Sequence, residues 1–169
     1  MKEVRKAAEL RRMDAAEFER FRKYSVEHHA KDLERFFPSQ TARSRAEDEF
    51  DGMLPEGRET AGNLLMTIVD RNSGRTVGAI WYLYEVTDGK KQMFIADLAV
   101  NENERGKGYA TAALAEAEKS ARCSGCTEAV LWVYADNPAA LRLYEKAGYL
   151  AFREEEGGMY MKKPLKSVL

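Results

Sequence analysis

The sequence predicts an α/β (α+β) domain: one layer of mixed, mostly antiparallel sheet flanked by helices. Three observations predict it. The first third reads as helices, the middle third as apolar segments separated by tight turns, and the last third as alternating β-α-β-α-β-β signals. At 169 residues the chain fits one domain with a substantial core, and no composition shift or repeat divides it.

Residues 3–12 are expected to form a first strand with Leu10 and Met13 inward. Asp14 then caps a helix, with Glu17 three residues on completing a capping box. That helix runs to about residue 30 with Phe18, Phe21 and Ser25 on one side, and 31–37 turn or bend. Pro38 and Ser39 restart the chain into a second helix over 40–52. Its inward face holds only Ala42, Ala46 and Phe50, so a peripheral helix is expected. Residues 54–62 are a loop rich in breakers. Strands over 63–69 and 76–86 form an antiparallel hairpin about the turn Asp70-Arg71-Asn72-Ser73-Gly74. Asp88-Gly89-Lys90 leads into a central strand over 92–100. In the helix that follows, Ala110, Leu114, Ala117 and Ala121 share one face. A strand over 129–134 precedes a helix with Asn137 as cap and Pro138 at its first position, stopped by Gly148. Strands over 149–153 and 159–162 close the chain.

Bulk properties narrow the function. A formal net charge of −1 supplies no basic field for nucleic acid, so no such partner is expected. No apolar run approaches the roughly 20 residues of a membrane helix, and the charged N-terminus lacks a signal-peptide apolar region. The cytoplasm is therefore the expected location. Cys123 and Cys126 form a lone pair at the C-terminal end of a helix, where the dipole does not activate a thiol. With no further ligand spacing, His28-His29 included, no metal is expected.

Between the central strand and the following helix stands Arg105-Gly106-Lys107-Gly108-Tyr109-Ala110. Two glycines allow a tight turn with close backbone approach, and a helix N-terminus adds unpaired amides and the positive end of its dipole. With two cations beside it, this stretch makes a place for a pyrophosphate. Neither the three-glycine dinucleotide fingerprint nor the Gly-Lys-Ser/Thr P-loop is present.

The stretch 105–110 instead resembles the R/Q-x-x-G-x-G/A signature of the GNAT superfamily of acetyl-CoA-dependent N-acetyltransferases. Residues 130–149 resemble that family's other core motif, a strand followed by N-x-x-A-x-x-L-Y-x-K-x-G-F/Y. Asn137, Ala140, Leu143, Tyr144, Lys146, Gly148 and Tyr149 occupy its positions. The likeness covers about 63–163, and a helical part over 14–52 fits the family layout. It implies a sheet splayed open at a cofactor cleft, with acetyl-CoA as acyl donor and no metal. Cofactor contacts are implied for Leu98, Ala99, Val100, Arg105, Gly106, Lys107, Gly108, Tyr109, Ala110, Asn137 and Tyr144.

Direct acyl transfer needs a neutral amine, donors for an oxyanion and a proton for the departing thiolate. The resemblance places Tyr144 as that proton donor, and the Leu98 amide is the chosen oxyanion donor. Family members often carry a Glu or His at the positions of Phe94 and Ala96, neither of which can take a proton here. Asp97 is then the candidate base. Strict alternation turns it away from the face of Phe94 and Ala96, unless a bulge re-aims it. Glu85 or a chain of waters is an equal alternative. Tyr82, Tyr84 and Glu85, with Glu56, are expected to build an aromatic, somewhat acidic pocket for the amine of a small molecule or peptide. A homodimer through the C-terminal strands or N-terminal helices is compatible with the sequence. The rival reading is a non-catalytic acyl-CoA-binding or protein-interaction module on the same fold.

Overall fold

The computed structural model describes residues 7–166, so the part of the first expected strand before residue 7 lies outside the described residues. Seven strands form a single sheet in the order β1-β2-β3-β4-β5-β7-β6. They are β1 Ala8–Arg12, β2 Asn63–Asp70, β3 Thr76–Thr87, β4 Lys90–Val100, β5 Glu128–Tyr134, β6 Leu150–Glu155 and β7 Gly158–Pro164. The helices are α1 Ala15–Leu33, α2 Ser39–Met53, α3 Tyr109–Cys123 and α4 Pro138–Lys146. All neighbours are antiparallel except β4 and β5, whose connection through α3 makes them parallel.

Each face of the sheet carries its own core. On one side Ile80, Tyr82, Met93, Ile95 and Leu131 meet α3 through Ala113, Leu114, Ala117 and Ala121, and α4 through Tyr144. Three of the four helix positions read as one face are fully buried, and Ala110 is half-buried. On the other side Phe18, Phe21 and Phe50 gather around Trp81, whose ring lies 5.5 Å from Phe50 and 6.3 Å from Phe21. This corrects the expectation for α2. Ala42 and Ala46 are fully buried and Phe50 is buried, so the helix is a core element. Its small residues let it lie close to α1 instead of marking a loose fit.

The capping box of α1 forms as expected. Asp14 Oδ1 accepts from the Glu17 amide at 2.8 Å, and Glu17 Oε1 accepts from the Asp14 amide at 3.0 Å. The helix continues one turn past residue 30, to Leu33. Residues 54–62 include a short 3₁₀ turn at Gly57–Glu59. Cys123 ends α3 in an exposed position, and burial pushes the Cys126 thiol up, away from reactivity.

Two irregularities position the site. The first is that β4 pairs with β5 only over Gln92–Ile95, opposite Glu128–Leu131, and beyond that the two strands part. The second is a bulge in β4. Trp81 lies opposite Asp97 and Tyr82 opposite Ile95, so Ala96 is an extra residue.

Candidate active site

The turn after β4 has the open glycines and free amides that a backbone anion site needs. Gly106 and Gly108 have φ of +75° and +92°, a region closed to most side chains, and apart from their chain neighbours no described atom lies within 4 Å of where their Cβ atoms would stand. The first bond at the start of α3 runs from the Ala112 amide to the Gly108 carbonyl. The amides before it therefore have no helical acceptor. The two cations are placed less simply. Lys107 Nζ donates to Glu104 at 3.0 Å, and Arg75 Nη1 donates to the same buried carboxylate at 2.6 Å. Arg105 turns back so that its Nε donates to the Val100 carbonyl at 3.1 Å. The Tyr109 hydroxyl donates to Asp70 and its ring is buried in the core, so only its backbone faces the turn. Ala110 follows it in the first turn of α3.

The parted edge of β4 presents further polar groups. The Asn101 amide donates to the Val77 carbonyl at 2.8 Å. In an antiparallel ladder the bonding direction alternates, so the backbone groups of Val100 and Leu98 point away from β3, toward the gap left by β5. Ala99 by the same alternation bonds into the β3 ladder, which corrects the expectation that its backbone serves the cleft. The open amides, the open glycines and the parted edge together fit a long thioester carrying a diphosphate.

Asp97 and Tyr144 approach this gap from opposite faces. The bulge at Ala96 turns Asp97 onto the α1 face, with Phe94 and Ala96, where Ser25 Oγ donates to its Oδ2 at 3.3 Å. This corrects strict alternation and realises the re-aiming bulge. Burial raises the carboxyl of Asp97, against the opposing influence of His28, the Leu98 amide, Ser25 and His29. Tyr144 is buried on α4 with its ring edge-on to Tyr149 at 5.8 Å. Its hydroxyl is pushed up to about 12, by burial first and by the negative charge of Asp97 second. A phenol held that high is a proton donor across the neutral range. Asn137 caps α4, its Oδ1 accepting from the Ala140 amide at 3.2 Å.

The expected acceptor lining is not assembled. Tyr82 is buried under α3, and the Tyr84 hydroxyl hydrogen-bonds Ser120 of α3 at 3.0 Å, so both belong to the face away from Asp97. Glu85 accepts from Gln92 Nε2 at 2.6 Å, and Glu56 is exposed at the 3₁₀ turn. On the α1 and α2 face there are instead two cavities. One, of about 550 Å³, lies between α1 and the C-terminal part of β4, with Arg20, Phe21, Tyr24, Ala99 and Arg105 in its wall. The other, of about 660 Å³, includes Glu85, Phe94 and Tyr160 and lies over the part of β4 still paired with β5. Arg20 and Tyr24 escaped the sequence reading, since they look like the solvent side of α1 until β4 is placed beside them. Among the described residues no group of three or more His, Cys, Asp or Glu could hold a metal ion, and no helix is long and apolar enough to cross a membrane.

Comparison with known proteins agrees with this geometry. A model of the acetyltransferase (GNAT) family matches residues 21–149. Two uncharacterized N-acetyltransferases of Bacillus subtilis (strain 168), YdgE and YycN, are each 32% identical over 142 and 140 residues. These matches cover 83% and 81% of this chain, and 90% and 88% of the two relatives. A crystal structure of the Bacillus subtilis YycN acetyltransferase superposes with a TM-score of 0.79 at 30% identity, covering 89% of this chain and 94% of that one. The PaiA N-acetyltransferase of Thermoplasma acidophilum, solved with coenzyme A, shares the fold at a TM-score of 0.67 and 16% identity, covering 94% of this chain and 99% of that one. Fold and relatives define an acetyl-CoA-dependent acyltransferase. The chain belongs to the GNAT acetyltransferase family.

Proposed function

We propose that the chain transfers the acetyl group of acetyl-CoA directly to a primary amine of a small molecule or peptide, with Asp97 as base and Tyr144 as acid. The diphosphate is held by the turn amides of residues 106–110, and the pantetheine arm follows the parted edge of β4 at Leu98 and Val100. Arg105 must then release the Val100 carbonyl, which frees its charge. Asn137 at the head of α4 is a further contact for the donor, beside its capping bond.

In the reaction the amine nitrogen forms a bond to the thioester carbonyl carbon, and the carbon–sulfur bond breaks. The amine's proton passes to the Asp97 carboxylate, and the departing sulfur takes the Tyr144 proton. The Leu98 amide, directed at the gap, is the donor for the oxyanion. An alkylamine with a pKa of about 10.4 is neutral in roughly one molecule in a few thousand at pH 7, which is the reason a base is needed. The observation that carries this reading is the position of Asp97 and Tyr144 on either side of the gap between β4 and β5.

Tyr144→Phe tests it. The variant should bind acetyl-CoA as tightly as the wild type by calorimetry, yet lose turnover by roughly 10²-fold or more, measured as free CoA released with a panel of amines. Unchanged turnover would remove Tyr144 from the chemistry.

A further inference from the structure

The cavity between α1 and β4 has an uneven charge. Four charged side chains line it: Glu17, Arg20, Glu102 and Arg105. Glu17 is already compensated, since its two carboxylate oxygens accept from the Arg11 guanidinium at 2.8 and 3.0 Å, and the Thr67 hydroxyl donates to it at 3.1 Å. Glu102, in the short 3₁₀ segment after β4, is exposed, as Arg20 and Arg105 are, and adds one carboxylate to the wall. Arg20 has no carboxylate partner among the described residues, and Arg105 spends only Nε, on the Val100 carbonyl. Beside the Glu102 carboxylate, the cavity therefore offers the whole guanidinium of Arg20 and, once the donor arm displaces it from the Val100 carbonyl, that of Arg105.

Asp97 is not in the wall of this cavity, but neighbours of it and of Ser25 are. Ala99 in its wall is two residues along β4, on the face to which the bulge turns Asp97. Phe21 in the opposite wall is one helical turn before Ser25, which holds that carboxylate. The second cavity lacks both features. It lies over the paired half of β4. Of its three cations Arg153 and Lys162 already rest on the rings of Tyr160 and Phe152 at 4.4 and 4.7 Å, and Lys90 shares the wall with Glu85, Asp88 and Glu128.

We propose that the α1–β4 cavity is the acceptor pocket, and that the acceptor is an amine that also bears an anionic group, carboxylate or phosphate, held by Arg20 and Arg105. This rests on the reading of Asp97 as base. Guanidinium forks match both anions through paired N–H donors. Arg20 precedes Ser25 by five residues, a rise of about 7.5 Å along the helix. The anion and the reacting amine are thus separated by the span of a small molecule. The acidic pocket expected from the sequence is replaced by one with two guanidinium groups in its wall, because Tyr82 and Tyr84 face α3 and Glu85 lines the other cavity.

Rates of CoA release with matched pairs test this: glycine against glycinamide, phenylalanine against phenylalaninamide, and phosphoethanolamine against ethanolamine. The anionic member of at least one pair should be favoured about tenfold or more in kcat/KM, and the pair showing it tells carboxylate from phosphate. Arg20→Gln should bring that preference close to one while leaving the rate on the neutral member within about twofold. Comparing the variant with the wild type cancels the different amine pKa values within each pair. Preference for neutral members in the wild type overturns the proposal, as does a preference unchanged in both Arg20→Gln and Arg105→Gln. In that case turnover of neutral amines that Asp97→Asn abolishes leaves the acetyl-transfer reading standing. If no amine is acetylated, both fall.

Discussion

At the scale of single residues, the chemistry turns on one inserted alanine. Without Ala96 as a bulge, Asp97 would point to the α3 face of the sheet, away from Ser25. With it, the carboxylate meets Ser25 and lies across the gap from Tyr144. In the proposed mechanism burial suits both groups to their roles. A base works only when ionised, and burial raises the Asp97 carboxyl, so kcat/KM should climb as pH rises through that raised value. Tyr144 works only when protonated, and at about 12 it keeps its proton, so it should cause no alkaline fall below a phenol's ordinary value near 10. Asp97→Asn should remove the acid limb and lower kcat/KM by roughly 10²-fold or more. A pH–rate profile of wild type and variant checks this, and an acid limb that survives in the variant assigns it to another group.

At the scale of elements, the strands around the site are held at unusually close quarters. A Cβ at Gly78 on β3 would stand 2.3 Å from the Ala99 carbonyl oxygen and 3.0 Å from the Val100 Cα, both main-chain atoms of β4. Backbone in a central pair has no room to yield, so Gly78→Ala should cost about 1–3 kcal/mol of stability, read from urea unfolding. Because the contact is with the strand that carries the parted edge, acetyl-CoA affinity should fall in the same variant. The order of the elements was legible in the sequence because turns such as Asp70–Gly74, the capping box at Asp14 and the Asn137-Pro138 start each have a local chemical cause. The bulge was not, since an inserted residue leaves the apolar alternation readable in two registers. The burial of α2 was missed for a related reason. Counting large apolar residues says nothing of how closely Ala42 and Ala46 let a helix approach. The candidate site is half contiguous in the sequence. Gly106, Gly108, Asn137 and Tyr144 lie on contiguous motifs, whereas the pocket joins α1 to β4 across more than seventy residues, as the Ser25–Asp97 bond does.

At the scale of the molecule, the proposed reading divides two tasks across the sheet, with α4 on one side and the acceptor's cavity under α1 on the other, and with Val100 and Arg105 where they meet. Such a division works only if α1 is fixed to the sheet, and Glu17 is the point of attachment. Its carboxylate accepts from Arg11 of β1, from the Asp14 amide at the helix cap and from the Thr67 hydroxyl of β2. The Arg11 hydrogen bond, the largest influence, together with the cap and Thr67, lowers the carboxyl from 4.5 to about 2 against the opposing effect of burial. The unfolded chain then binds a proton near 4.5 while the native chain waits until about 2. Between those values the unfolded state holds more protons, so stability present above the window is lost as pH falls through it. Glu17→Gln keeps the shape and removes the charge. At neutral pH it should cost roughly 1.5–3 kcal/mol, the range for hydrogen bonds to a charged group. That gap should narrow as pH falls from 4.5 toward 2, where wild-type Glu17 also becomes neutral. Urea midpoints measured at steps of pH on both proteins test this. A gap that stays constant down to pH 2 would show that the ionised carboxylate of Glu17 is not what holds α1. The anchoring of α1 over the acceptor cavity would then have to come from the aromatic cluster around Trp81.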